Sequence, residues 1–231
     1  MKAKRPKKRK IGRPKDQESS VGRSGILDAT CELLMQTPPI SVTLAMVARH
    51  TQIDPALIRY YFKDRAGLLV AAAEQITNEY SAALADAMER CGDDPEERLK
   101  ARIKTLVNIE STYPFFHQLF IDEVLNSNAP SARKLVEGLT ERAASGYGAV
   151  LAAGNERGVF RDIDKNLLFV STIAMCEFYN SAMELLGLLA GKSVRSEKVK
   201  GEYADFICDL IINGIKTQKP TRSRKKKARA R

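Results

Sequence analysis

The feature that most constrains this fold is a recurring helix-start signal, in which a capping side chain precedes proline or the first residues of an apolar repeat. Asp54-Pro55 and Asp94-Pro95 each place an acidic cap before proline, and Pro114 and Pro130 begin two further segments. Between these signals apolar residues recur every three or four positions, and no stretch alternates as a half-buried strand does. The sequence therefore predicts an all-α chain of about nine helices.

Basic residues are concentrated at the two ends of the chain. Residues 1–15 and 216–231 carry nine Lys and Arg each and no acidic residue, whereas the rest holds 20 basic and 28 acidic residues. Cationic segments attract polyanions such as nucleic acid or an anionic membrane, although some only solubilise a protein. We predict a disordered basic arm over residues 1–22 and a disordered basic tail over residues 218–231.

This sequence lacks the usual motifs of several classes of protein. Gly-rich phosphate loops, nucleophile elbows and paired-carboxylate motifs are absent, and the four cysteines and two histidines show no metal-ligand spacing. We therefore expect no enzyme activity, no metal and no cofactor. No run approaches 18 apolar residues and the basic N-terminus lacks the apolar stretch of a signal peptide, so we expect a cytoplasmic protein without a membrane partner.

Residues 23–70 are predicted to form three short helices and the start of a long fourth helix. The second and third helices are separated by a tight turn at Gln52, as in a helix-turn-helix. The residues spaced to share its small core are Leu33, Leu34, Val47, Ala48, Ile53, Ile58 and Phe62. A third helix this short and cationic can enter the major groove of DNA. Its predicted exposed face carries Ala56, Leu57, Arg59, Tyr60 and Lys63.

The run from Val42 to Leu69, VTLAMVARHTQIDPALIRYYFKDRAGLL, resembles the DNA-binding signature of the TetR (tetracycline repressor) family. That signature has threonine, an apolar residue, two variable residues and Ile-Ala, then a turn and a short helix ending in Tyr and Phe. The strong resemblance covers residues 24–72, and the remainder is similar only in the number, order and length of its helices. Gln52 stands where the family usually has glycine, so a left-handed backbone there would carry some strain.

The resemblance implies roles for individual side chains at DNA. Thr43 would bond a phosphate at the start of the second helix, and Arg65 stands where the family has a phosphate-binding lysine. Arg59 is expected to read a base edge, with a phosphate contact as the alternative. Tyr60 and Tyr61 would lie at the end of the recognition helix, against the DNA backbone or packed beneath the helix. The other predicted contact residues are Pro55, Ala56, Leu57 and Lys63.

The basic arm contains Lys10-Ile11-Gly12-Arg13-Pro14-Lys15, which resembles an AT-hook with Ile11 in place of its first arginine. In such a hook an extended arginine lies in the narrow minor groove of A·T-rich DNA. We predict that the arm adds affinity through phosphates and through Arg13.

Residues 71–217 are expected to form a helical domain that dimerises and binds a small-molecule effector. By the resemblance, the apolar segments 166–190 and 203–215 form a four-helix interface in a homodimer, although one face of each must pack within the monomer. Aromatic residues make up only 6% of the chain yet cluster in two segments, which fits a mostly apolar cavity. The predicted lining residues, for each of which ordinary core packing is the alternative, are Tyr113, Phe115, Phe116, His117, Phe120, Met175, Phe178, Tyr179 and Met183.

The predicted function is sequence-specific regulation of transcription. A repressor would bind a palindromic operator in double-stranded DNA and leave it when a small apolar or amphipathic effector binds. The effector would favour a conformer whose recognition helices no longer match the half-site spacing, acting through the long helix 64–91. The alternatives are a transcriptional activator and a nonspecific nucleoid-associated protein that binds DNA through its basic ends.

Overall fold

The computed structural model describes residues 22–190 and 196–217, and Arg13 lies outside this part of the chain. The described residues form ten α-helices: α1 Arg23–Leu34, α2 Leu44–Thr51, α3 Pro55–Phe62, α4 Arg65–Cys91, α5 Pro95–Thr112, α6 Phe116–Leu119, α7 Pro130–Glu156, α8 Lys165–Ser181, α9 Met183–Ala190 and α10 Glu197–Ile215. A 3₁₀ turn, Pro39–Ser41, precedes α2, and a π-helical segment, Phe120–Leu125, follows α6. Because the described part holds no strand, the all-α prediction is confirmed.

The predicted helix starts are confirmed by side-chain caps, which satisfy backbone N–H groups that have no partner within the helix. The capping residues, each with the residue whose amide it accepts, are Thr43 (Met46), Asp54 (Ala56), Asp64 (Gly67) and Asp94 (Glu96), at 2.7–3.2 Å between oxygen and nitrogen. Proline occupies the first position of α3, α5 and α7, where its missing N–H costs nothing.

Two predicted helices are interrupted, which explains why the number of helices exceeds nine. The apolar segment expected to run unbroken to Ala190 is divided at Ala182 into α8 and α9. The segment expected after Pro114 forms the short α6 and then widens into the π-helical segment. Single π-helical turns of this kind are frequent at functional sites.

The apolar side chains form two separate cores. The first core joins α1–α4 to the end of α5, to α6, to the π-helical segment and to the start of α7, and it contains the predicted residues Leu34, Val47, Ala48, Ile58 and Phe62. The second core lies among the start of α5, the end of α7, α8 and α10. The first core therefore crosses the domain boundary predicted at residue 70.

Helix α5 is central, because it packs against α4, α7, α8 and α10. The end of α10 is tied to the loop that follows α7, since Arg161 N donates to the Ile215 carbonyl (2.8 Å) and Thr217 N donates to the Val159 carbonyl (2.9 Å). None of the helices in the two described stretches combines the length and apolarity needed to cross a membrane.

Candidate DNA-binding and effector sites

The turn between α2 and α3 has the backbone that the sequence predicts. Gln52 adopts the left-handed conformation, with φ 57° and ψ 34°, and closes the end of α2. Ile53 N then donates to the Ala48 carbonyl at 3.1 Å, and Asp54 caps the next helix two residues later. Glutamine at this backbone conformation carries the strain that glycine would avoid. The sharp change of direction sets α3 across α2, as a helix-turn-helix requires.

Helix α3 presents a polar and aromatic face to solvent. Ile58 and Phe62 anchor it, at 0% and 6% exposure, whereas Tyr60 is 78% exposed. The residues exposed around Tyr60 are those predicted to face DNA: Ala56, Leu57, Arg59, Tyr61 and Lys63, with Pro55 half-buried at the helix start. Tyr61 is 38% exposed and meets Tyr60 edge to face, with ring centroids 5.2 Å apart. Because its buried side packs on the protein, α3 can place its exposed side in a groove of DNA.

The start of α2 lies on the same module. Thr43 is exposed, and its hydroxyl oxygen accepts from Met46 N at 3.2 Å. Because a hydroxyl group can accept one hydrogen bond and donate another, this cap leaves the Thr43 proton available to a phosphate.

Arg65, which the resemblance assigns to a DNA phosphate, makes three contacts within the protein. Its Nε donates to the Val42 carbonyl (2.8 Å), Nη2 donates to the Pro39 carbonyl (2.6 Å), and Nη1 pairs with Glu123 (2.7 Å). All three nitrogen atoms are therefore engaged within the protein. Arg65 joins the loop before α2 to the π-helical segment, a contact across 58 residues of sequence that the local motif could not reveal.

The predicted effector-lining residues are distributed over the two cores and the surface. Phe116 and Phe120 pack against the first core, whereas Met175 packs against the second. Tyr179 is buried and stacks on Tyr203, with ring centroids 4.2 Å apart, and Phe178 is 63% exposed. The remaining predicted residues are Tyr113, which is buried, Phe115 and His117, which are half-buried, and Met183, whose side chain lies outside the described residues.

The helical repeat of α8 explains the exposure of Phe178. Leu167, Val170 and Phe178 recur at helical spacing and are all at least 60% exposed, whereas Thr172, Cys176 and Tyr179 form the buried stripe. Both faces of α8 carry apolar residues, so the sequence pattern alone could not say which face points inward.

Sequence reasoning missed a group of polar side chains in the C-terminal interior. Glu110 is only 4% exposed, Thr172 is fully buried, and Tyr147 is 2% exposed. The Arg102 guanidinium lies over the Tyr147 ring, 5.4 Å from its centroid. A signal was present, because Glu110 continues the apolar stripe of Leu99 and Ile103 along α5, and a charged residue on such a stripe is unusual.

Burial, and to a smaller extent the nearby Glu177 carboxylate, raises the pKa of Glu110 to about 7. We expect Glu110→Gln to stabilise the protein at pH 8 but to have little effect at pH 5. The folded-state pKa exceeds that of the unfolded chain, so the free energy of unfolding falls as pH rises from about 4.5 to about 7. A shift of this size corresponds to about 3 kcal/mol at pH 8. Urea unfolding of both proteins at several pH values checks this.

The control for this experiment is Glu74→Gln, on the exposed side of α4. It should unfold like the wild type at every pH. A stability difference between Glu110→Gln and wild type that is the same at pH 5 and pH 8 would contradict the assignment of the raised pKa to Glu110.

Two family models match this chain. The model described as "Bacterial regulatory proteins, tetR family" matches residues 26–72, which contain α2 and α3. The model described as "Tetracyclin repressor-like, C-terminal domain" matches residues 95–211, which are about half of the chain. The first match falls on the helix-turn-helix and the second on the helices around α5.

Curated relatives match less than half of this chain. The HTH-type transcriptional regulator BetI of Stenotrophomonas maltophilia is 32% identical over 88 residues, which are 38% of this chain and 45% of the relative. BetI of Paraburkholderia phytofirmans is 28% identical over 99 residues, which are 43% of this chain and 51% of the relative. The chain thus spans about half the length of the curated relatives it matches.

Solved structures share the whole fold at low sequence identity. The ketosteroid transcriptional regulator KstR2 of Mycobacterium tuberculosis superposes with a TM-score of 0.65 at 14% identity, over 88% of this chain and 98% of its own. AibR, solved in complex with isovaleryl coenzyme A and operator DNA, superposes with a TM-score of 0.64 at 11% identity, over 81% of this chain and 96% of its own. The fold, the helix-turn-helix and the two family matches agree: the chain belongs to the TetR family of bacterial transcriptional regulators, which are DNA-binding proteins and not enzymes.

Proposed function

We propose that this protein is a repressor that binds a palindromic operator as a homodimer and leaves it when a small amphipathic effector binds. The observation that carries the proposal is the exposed Arg59–Tyr60 face of α3, supported from behind by the buried Ile58 and Phe62. Arginine can donate two parallel hydrogen bonds to guanine in the major groove, which discriminates bases by about 1–3 kcal/mol. Thr43 at the start of α2 and Arg13 in the arm would add phosphate and minor-groove contacts.

The test is the double variant Arg59→Ala, Tyr60→Ala on a duplex that the wild type selects from a random pool. We expect its affinity for the selected duplex to fall about 10- to 100-fold at fixed salt, because base-edge contacts are lost. Its affinity for a scrambled duplex should change much less. Fluorescence anisotropy titrations of both duplexes measure the two effects.

Arg90→Ala is the matched control, because Arg90 is exposed at the far end of α4 and carries the same charge. It should leave both affinities unchanged. A double variant that keeps the wild-type preference for the selected duplex would contradict the proposal. A wild type that selects no duplex would favour the nonspecific nucleoid-associated protein, and a promoter fusion that is switched on would favour the activator.

A homodimer is supported by the exposed apolar faces of the last three helices. Tyr203 on α10 donates its hydroxyl proton to the Met175 carbonyl on α8 at 2.7 Å, so these two helices are in contact at Tyr203. The large apolar side chains that these helices and α9 expose are Leu167, Val170, Phe178, Leu185, Leu188, Leu189, Phe206 and Leu210. Large apolar side chains exposed in this number are consistent with an interaction site, and the paired half-sites of an operator require two DNA-binding domains.

Arg65 links the effector-binding domain to the helix-turn-helix. Glu123 lies in the π-helical segment, and Arg65 connects its carboxylate to two carbonyl oxygens just before α2. A shift of the π-helical segment on effector binding would therefore displace Arg65 and turn α2 and α3 relative to the operator. Such a shift needs only a small difference in effector affinity between the two conformers, about 1–3 kcal/mol.

A further inference from the structure

Arg102 is a half-buried cation without a counter-ion among the described residues. Its Nε is inaccessible and has no hydrogen-bond acceptor among the described residues, and Arg102 takes part in none of the ion pairs formed there. The guanidinium instead lies against the Tyr147 ring. Buried polar groups in proteins are nearly always paired, so each one left unpaired requires an explanation.

Tyr147 provides a second unpaired group at the same place. Its side chain is 2% exposed, and its hydroxyl has no hydrogen-bond partner in the part of the chain that the structure describes. The neighbouring Thr172 hydroxyl donates its proton to the Leu168 carbonyl at 2.8 Å. The Arg102 Nε–H and the Tyr147 hydroxyl therefore lie near each other in the interior, and neither forms a hydrogen bond with a described residue.

The α7 backbone at Gly146 lies close to the Arg102 guanidinium. A Cβ atom at Gly146 would lie 2.6 Å from the Arg102 Cζ, well inside contact distance. Any other residue at position 146 would therefore push the guanidinium away from the Tyr147 ring. Glycine at this position of α7 lets the cation lie flat against the helix.

The surroundings of the two donors are apolar. The Phe169 ring meets Tyr147 with centroids 5.6 Å apart, and Leu106 packs into the same core. Arg102 brings one positive charge to this place, which balances one negative charge of a ligand. One negative charge at Arg102 and an apolar body along Leu106 and Phe169 fit these constraints.

We propose that Arg102 and Tyr147 bind the head of an amphipathic organic monoanion, a carboxylate with an apolar body, among α5, α7 and α8. This inference rests on the proposed function, because it names the class of effector that the regulator would sense. The carboxylate would accept hydrogen bonds from the Arg102 side chain and from the Tyr147 hydroxyl. Hydrogen bonds between charged groups are shorter and about twice as strong as neutral ones, and they would select an anion over an alcohol or an amine.

The test compares three probes of equal chain length, decanoate, 1-decanol and decylamine, by calorimetric titration of the full chain. We expect decanoate to bind at least tenfold more tightly than the other two. Arg102→Gln and Tyr147→Phe should each weaken decanoate binding about tenfold or more and leave 1-decanol binding unchanged. Decanoate that binds no better than 1-decanol, or equally well to Arg102→Gln, would overturn the inference.

The melting temperature of the free protein provides an independent measurement. Because the Tyr147 hydroxyl is unpaired, Tyr147→Phe should leave Tm unchanged or raise it. Tyr203→Phe is the matched control, because the Tyr203 hydroxyl is bonded to the Met175 carbonyl, and its loss should lower Tm by about 2–4 °C. If Tyr147→Phe lowers Tm as much as Tyr203→Phe does, the hydroxyl is a structural group and the inference is wrong.

Measurements of operator binding distinguish a failure of this inference from a failure of the proposed function. If decanoate fails and the neutral 1-decanol releases the selected duplex, the monoanion is wrong but the ligand-released repressor stands. If the wild type selects no duplex, the proposed function fails whatever the probes do.

Discussion

Gly67→Ala is expected to lower the free energy of unfolding by about 2–4 kcal/mol and to weaken operator binding at least tenfold. Gly67 lies in the first turn of α4, where a methyl group would overlap the Phe62 carbonyl oxygen at the end of α3. That oxygen already accepts from Asp64 N at 2.8 Å, so it cannot move without opening the corner. Lys63, at φ 66°, makes the corner tighter still. Opening it would misplace the Arg59–Tyr60 face.

Gly201→Ala provides the matched comparison. Gly201 lies within α10, and a methyl group there meets nothing within 4 Å. Alanine is a better helix former than glycine, so this variant should gain about 0.5–1 kcal/mol and bind the operator normally. Urea unfolding and anisotropy titrations measure both quantities. If the two alanine variants unfold alike, the α3–α4 corner is not the close contact described above.

Phe178→Glu combined with Phe206→Glu is expected to convert a dimer to a monomer and to weaken operator binding about 100- to 10,000-fold. The two rings are 63% and 61% exposed on α8 and α10, which are in contact through Tyr203. A carboxylate buried in an apolar interface costs several kcal/mol, so the two copies would separate. Each helix-turn-helix would then bind its half-site independently. It would lose the high effective concentration that it has when joined to its partner in a dimer.

Sedimentation equilibrium and anisotropy titrations on the selected duplex check this pair of effects. Leu125→Glu is the control, because Leu125 is 47% exposed on the π-helical segment, away from α8 and α10. It should remain dimeric. A Phe178→Glu, Phe206→Glu protein with the mass and operator affinity of the wild type would show that these faces do not pair.

Local chemistry made the N-terminal module predictable. Thr43, Asp54 and Asp64 cap their helices as expected, because a cap depends only on residues two or three positions away. The left-handed Gln52 followed from the resemblance, because glycine is usual at this position of the TetR signature. The buried Ile58 and Phe62 followed from the helical repeat. Exposure of Arg59 and Tyr60 was then a consequence of the same repeat.

The interior of the C-terminal half was less predictable because it depends on contacts between distant residues. Arg65 was assigned to phosphate because its motif says nothing of Glu123, which approaches it from the π-helical segment. Phe178 was assigned to a pocket because α8 is apolar on both faces. Arg102 and Tyr147 were overlooked because only the packed structure leaves their polar atoms unpaired.

The continuous first core has a consequence for anyone who wishes to exchange operator preference between such regulators. A graft cut at residue 70 would sever side chains of α1–α4 from Leu119, Val124 and Leu135, against which they pack. The transplanted piece would need a host whose own residues fill that space equally well. Substituting only the exposed residues of α3, with the supporting helices left in place, keeps the first core intact.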